Sequence, residues 1–368
     1  MTRVPRPAHA RVRAFGLAFA AALALVPSLA LAASASGDFS LSGSRVHVYN
    51  LAGAVEVVAG SGASVTVRST GGGRDAAKLD VQTLPGNEPA LVIQYPGTKV
   101  VYKHGHWWHG SSRTTIEVRG DGRFGVGQGM KGLGAGKRKV EIRTDGSGLE
   151  AWADLRIAIP RGQKVAVHLG MGAVTVANVD GELLLDCAAA GIAVAGARGK
   201  LYIDTGSGAV EVGDAVGFVS IATGSGSVSV NDFTGSELTV DTGSGAVHLA
   251  AVKAEGHVKV DTGSGRVEII DVASPRVGVD TGSGSVHVRL AGAPRDISVD
   301  TGSGAITVEA PPTLDAIVRL ESGSGGLEVD FPMQSVSRDD DHVSGTIGKG
   351  MGRIVLETGS GRIRLVRV

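Results

Sequence analysis

The chain has 368 residues in which 36 basic and 36 acidic side chains balance, with 42% hydrophobic residues, only 4% aromatic residues and 57 glycines. A balanced charge leaves no electrostatic footprint for nucleic acid, and a single cysteine supplies no disulfide framework. Abundant glycine with few aromatics argues against a conventional globular enzyme.

Residues 1–32 place Arg3, Arg6, Arg11 and Arg13 ahead of an apolar run that ends in Ala30-Leu31-Ala32 before Ala33. That order predicts a secretory signal peptide cut after Ala32, with Ala35 as the other candidate. A signal anchor fits less well, because the run is short and a small-residue site follows it. The expectation is export to the periplasm, the cell surface or the medium. Without 1–32 the chain holds 32 basic and 36 acidic residues, net about −4, which implies no nucleic-acid partner. No later stretch is long and apolar enough for a spanning helix, so no transmembrane anchor is expected in the mature chain.

Residues 46–57 alternate apolar and polar side chains and read as an opening coil. Residues 96–139 break the pattern and are expected to form an insertion at one edge, with a strand over 114–118 and glycine at eight of the seventeen positions 120–136. This segment contains Lys103-His104-Gly-His106-Trp-Trp-His109. Three imidazoles so close together are candidate ligands for Zn²⁺, Cu²⁺ or Ni²⁺. Tyr102, Trp107 and Trp108 are candidates for stacking on a sugar, since exposed indoles are costly unless they meet something. A solvated loop covering a coil edge is the plain alternative.

From 139 to the C-terminus a repeat takes over. Asp-Thr-Gly-Ser-Gly starts at Asp204, Asp241, Asp261, Asp280 and Asp300, with degenerate copies at 222–226, 321–325 and 357–361. Apolar pairs with period two flank each copy, such as Val258/Val260 before and Val267/Ile269 after. Each unit is therefore strand, glycine turn, strand. A unit that recurs roughly every nineteen residues cannot bury its apolar face alone and must stack on its neighbours. The predicted fold is all-β: a single-stranded, parallel β-helix-like β-solenoid of about fifteen coils over 33–368, interrupted by the insertion. Glycines are expected to take positive φ at the corners. A short acidic loop, 338–342, precedes the last coils.

Residues 46–57, the repeated Thr-Gly-Ser-Gly-x-Val-x-Val and the C-terminal Ser344-Gly-Thr-Ile-Gly348 carry a resemblance, as does Gly352-Arg-Ile-Val-Leu-Glu-Thr-Gly-Ser-Gly-Arg-Ile-Arg-Leu365. With these motifs the chain resembles the bacterial putative-adhesin family of β-strand-repeat domains of unknown function, and is similar to the adhesin-like head domains with Gly-Ile-Asn motifs. The resemblance covers most of the mature chain outside 96–139. It implies a role in contact with a surface, matrix or envelope component and brings no catalytic residues.

Asp-Thr-Gly-Ser also occurs in aspartic-protease loops, where two carboxylates share one proton. A whole column of copies on consecutive coils does not fit that chemistry. Aligning the copies on their last glycine places His168, Cys187, Asp204, Ala222, Asp241, Asp261, Asp280, Asp300 and Glu321 in one outward column. Like charges ~4.8 Å apart cost about 0.9 kcal/mol per pair in water, so the column must face solvent or be neutralised. Asp241, Asp261, Asp280 and Asp300 are thus candidate Ca²⁺ ligands or a solvated acidic ridge. A nucleophile, base and orienter at Cys187, His168 and Asp204 would lack a pocket and an oxyanion site. His248, His287, Glu211, Glu268 and Glu328 read as a second solvated face. Thr205, Thr223, Thr242, Thr262, Thr281 and Thr301 point inward as a hydroxyl ladder, a single column where ice binding needs two. No cofactor motif is present beyond a divalent metal at these histidines or aspartates. The reading is of a non-catalytic exported repeat protein, an adhesin or cell-envelope interaction module. A metal- or glycan-binding envelope protein working through 96–139 is the alternative. A polysaccharide-active β-helix enzyme fits poorly, because the loops are too short to build a cleft.

Overall fold

The computed structural model describes residues 35–103, 112–125 and 136–368. Their helical content is one short turn, Ala76–Lys78, and no helix among them is long and apolar enough to cross a membrane. Most of the rest is strand, and the larger part of it is laid down as two parallel columns.

In the first column Val48, Val167, Leu185, Ile203, Ile221, Val240, Val260, Val279, Val299, Leu356 and Leu320 stand side by side. In the second, Val55, Val174, Ile192, Val210, Val228, Val247, Val267, Val286, Ile306, Ile363 and Leu327 do the same. All but Leu327 are buried. Alternation along each strand sends these side chains into one shared core and their neighbours to solvent. Eleven coils pair this way, and Ala90–Gln94 and Trp152–Pro160 add one more parallel rung to each column beside Val46–Gly60. Other strands of similar composition among the described residues run antiparallel and close the ends.

At the C-terminal end Ala316–Ser322 pairs antiparallel with His342–Ile347, which pairs antiparallel with Gln334–Arg338. At the N-terminal end Gly37–Leu41 lies on Val65–Gly72, and Asp80–Leu84 on Ala90–Gln94. These strands cover parallel edges that would otherwise present unpaired backbone groups. They also break the match between chain order and stack order. The strands Gly352–Thr358 and Ile363–Arg367 slot between the coil at 296–310 and the coil at 316–329, and Val46–Gly60 pairs directly with Gln163–Ala177.

The Thr-Gly-Ser-Gly corner joins the columns. Its threonine is buried, and its hydroxyl bonds in two directions. Thr281 Oγ1 accepts from the Gly284 N–H of its own turn at 3.1 Å and donates to the Gly265 carbonyl of the preceding coil at 3.5 Å. Thr301 and Thr358 repeat the pattern, donating to Gly284 and Gly304 at 3.0 and 2.9 Å, as does Ser322 to Gly361 at 2.8 Å. Thr205 and Thr223 depart from it: Thr205 donates to Ser207 O of its own turn at 3.1 Å, and the buried Thr223 hydroxyl finds no partner among the described residues. The expected positive φ holds at Gly208 alone of the final glycines in the five full repeats. In the others the need is clearance: a Cβ on Gly265 would overlap the Gly245 carbonyl oxygen, and one on Gly284 that of Gly265.

A second corner follows the second column. Asn178, Gly196, Asp214, Asp232, Ala251 and Asp271 occupy successive coils, each in the left-handed region with φ between 53 and 75°. Asn and Asp tolerate that conformation best among side-chain-bearing residues. The residue after each is buried, Phe233 and Val252 among them.

The insertion makes its own four-stranded sheet from Lys99–Val101, Arg113–Val118, Arg138–Arg143 and Leu149–Glu150. Ile116 and Ile142 pack over Gly170, where a Cβ would collide with both.

Two outcomes follow. Gly284→Ala is expected to cost about 3 kcal/mol through overpacking, whereas Gly278→Ala, with open space around the new methyl, stays within about 0.5 kcal/mol of wild type; urea unfolding midpoints compare them. Thr281→Val strips the hydroxyl from a buried N–H and C=O and is expected to cost about 1 to 3 kcal/mol, with faster hydrogen exchange at the Gly284 amide.

Candidate functional site

The first column carries its outward residues in strict register. Tyr49, His168, Asp186, Asp204, Ala222, Asp241, Asp261, Asp280, Asp300, Glu357 and Glu321 lie on successive coils. Three members differ from the sequence alignment, the first being Tyr49, which heads the column beside His168. Asp186 replaces Cys187, because Cys187 pairs with Thr205 in the buried threonine column. Glu357 enters between Asp300 and Glu321 because the last coil is slotted in. The error at 187 came from aligning on Gly191, whereas Ala190 holds the place of the corner glycine against Gly172. Aligning on the inward pair Leu183/Leu185, opposite Leu201/Ile203, would have put Asp186 in the column.

Asp241, Asp280 and Asp300 are exposed and Asp261 is half-buried. Burial, then Asp261 and Asp300, hold the Asp280 carboxyl above its ordinary value, with Lys259 opposing. Burial and Asp186 push Asp204 the same way. At the C-terminal end the ridge meets the capping strands in an open cleft of about 530 Å³ lined by Asp300, Glu321, Glu357, Asp341 and His342. There the Arg319 hydrogen bond pulls Glu321 below its ordinary value. Among the described residues no group of three or more His, Cys, Asp or Glu side chains is disposed to hold a metal ion.

The second column treats charge differently. His248 Nδ1 lies 3.1 Å from Glu268 of the next coil, and His287 Nε2 lies 3.0 Å from Glu309 of the coil after its own. Arg289 pairs with Asp271, and Arg364 with Glu328. Opposite charges therefore meet on this face, while like charges meet on the ridge.

His168, Cys187 and Asp204 do not form a catalytic group. Cys187 is fully buried, and its thiol is pushed up by burial, then by Asp186 and Asp204. His168 Nδ1 bonds Asp186 Oδ2 at 2.8 Å instead. Tyr102 is buried with its ring edge-on to Trp152, so it offers no face to a sugar. His104, His106, His109, Trp107 and Trp108 lie outside the described residues, as does the signal-peptide segment 1–32. Sequence reasoning passed over His47, Glu88 and Phe124, which gather around His168. Nothing local marks them, since they come from three separate segments.

The chain belongs to the Toastrack DUF4097 family, whose sequence model matches residues 150–366. Among solved structures it is similar to a putative cell adhesion protein from Clostridium sporogenes ATCC 15579 at 10% identity, over 90% of this chain and 99% of that one, with a TM-score of 0.18. A likeness that slight carries no argument. None of the curated proteins matches the chain.

Asp280→Asn removes one of three adjacent like charges. It is expected to stabilise the rod by about 0.5 to 1 kcal/mol at low ionic strength, with the gain fading by about 0.5 M salt; thermal melts across a salt series measure it.

Proposed function

We propose that this Toastrack protein is a non-catalytic, exported interaction module whose rod presents the carboxylate ridge to a partner bearing repeated cationic groups. The observation that carries this reading is the contrast between the two faces. Stability alone favours opposite charges on neighbouring coils, as at Arg289 with Asp271 and Arg364 with Glu328. The ridge at Asp241, Asp261, Asp280 and Asp300 stacks like charges at strand spacing, a cost that contact with a cationic surface would offset. Single exposed ion pairs are weak, but a rigid row engages several at once and multiplies them through effective concentration. The basic, apolar and small-residue order of 1–32 supports export and an envelope, surface or matrix setting.

On immobilised poly-lysine, the triple variant Asp261→Asn, Asp280→Asn, Asp300→Asn is expected to bind at least about a hundredfold more weakly than wild type at low salt. Equal binding by the two proteins would count against the ridge. Separately, cell fractionation should place the protein outside the cytoplasm; retention inside would remove the exported role.

A further inference from the structure

Where the ridge nears the N-terminal end it sinks into the protein. Asp186, His168 and Tyr49 are 7%, 5% and 3% exposed. Asp186 Oδ2 lies 2.8 Å from His168 Nδ1, His168 Nε2 lies 3.3 Å from His47 Nδ1, and His47 Nε2 lies 3.6 Å from Glu88 Oε2 at the surface. Carboxylate, imidazole, imidazole and carboxylate thus form one chain from interior to solvent, drawn from four separate segments.

The rings are also the seat for the root of the insertion. His168 stacks on Tyr49 with centroids 4.2 Å apart and planes 5° from parallel. Phe124, itself buried, sits edge-on to both, 5.7 Å from Tyr49 and 6.5 Å from His168. The turn that delivers Phe124 is closed by Arg119 N–H to Arg123 O and by Arg123 on Asp121. Gln94 Nε2 donates to Asp121 O at 2.9 Å, a further tie between this turn and the rod.

Hydrogen bonding dictates where protons can go. A charged Asp186 takes the Nδ1–H of His168, which leaves His168 Nε2 to accept from His47 Nδ1–H. His47 Nε2 then faces Glu88 with a lone pair. A first added proton enters between His47 Nε2 and Glu88 and puts a positive charge on a half-buried ring stacked against His168. A second must go on His168 Nε2, where it opposes the His47 N–H at 3.3 Å and charges a buried ring. Other ionisable groups face this chain from each packed element: Arg45 with its partner Glu182, Asp204 beyond Asp186, and Arg119, Asp121 and Arg123 of the turn. Burial and His168 hold the His47 imidazole below its ordinary value. The unfolded chain accepts that proton more readily than the folded one, so the contribution to stability is complete above about pH 6.5 and is lost as pH falls below it.

We propose that the Asp186–His168–His47–Glu88 chain is a proton-operated latch, which fastens the 119–125 turn and the root of the insertion to the rod at neutral pH and releases them on acidification. It acts independently of the ridge as a binding surface.

Hydrogen–deuterium exchange of the full chain at about pH 7.5 and about pH 5, corrected for intrinsic rates, tests it. Peptides covering 119–125 should lose about tenfold or more of their protection at the lower pH, while peptides from 258–308 hold theirs. His47→Gln should remove that difference. Unchanged protection in wild type, or an equal pH response in His47→Gln, overturns the latch. Should His47→Gln fold poorly, imidazole proton shifts in the wild type decide instead. An ordinary titration for His47 overturns the proposal; a depressed one that coincides with the loss of protection at 119–125 supports it.

Discussion

The hydroxyl of the corner threonine holds the repeat in register. It accepts from its own turn and donates to the coil before, so it closes a turn and ties two coils with a single atom. Those bonds need the corner carbonyls of neighbouring coils to pass closely, and on the coils that make them a glycine leaves the room. Once one corner is set on another, the alternation of the strands decides which residues line the core and which face solvent. A one-residue slip at a single coil would turn a carboxylate into the interior and a valine outward. The ridge is therefore a consequence of the threonine ladder: Asp precedes Thr, and whatever fixes Thr inward fixes Asp outward.

That logic explains how far the sequence could be read. The inward pairs, the threonine column and the turn positions all follow from period two and from identical motifs, and they were legible wherever Asp-Thr-Gly-Ser-Gly survives. Reading failed where the motif is worn. At 181–195 the corner glycine is Ala190, the threonine is Cys187 and the Asp is Asp186, so a nearby Gly191 attracted the alignment one residue too far. The stack order near the ends was illegible for another reason. Parallel and antiparallel partners call for the same alternating apolar residues, and nothing in 352–367 says that it sits before 316–329. The left-handed corner at Asn178, Asp214, Asp232 and Asp271 was legible in principle, as a recurring Asn or Asp just past the second strand, but Gly196 and Ala251 interrupt it. The cluster at His168 joins side chains from segments as distant as 47, 88, 124 and 186, and no local pattern encodes such a meeting.

The two outward faces show that register alone does not set surface chemistry. Both faces repeat at the same step, yet one mixes neutral, basic and acidic residues, with His248, Glu268 and His287 on successive coils, and the other stacks carboxylates. Ala222 interrupts the ridge between Asp204 and Asp241 and lowers the repulsion at that coil. Since Thr223 beside it has lost its partner too, the 216–231 coil departs from the motif in both its outward acid and its inward bond.

Acid acts with opposite sign on the ridge and on the histidine chain that adjoins it. Asp204 and Asp280 sit above their ordinary carboxyl values when folded, so the folded state binds protons more readily there and the rod gains stability as pH falls toward the carboxylate range. His47 sits below its ordinary value, so the seat of the insertion loses stability over a higher range, below about pH 6.5. Between those ranges the insertion's seat is already weakened while the stacked aspartates remain charged and available. Lower still, protonation quiets the repulsion along the ridge and the coils hold together more tightly just as their charge is lost. The ridge and the histidine chain joined to it at His168 thus respond to acid in sequence, because burial deepens toward the N-terminal end while the register that aligns the column stays the same.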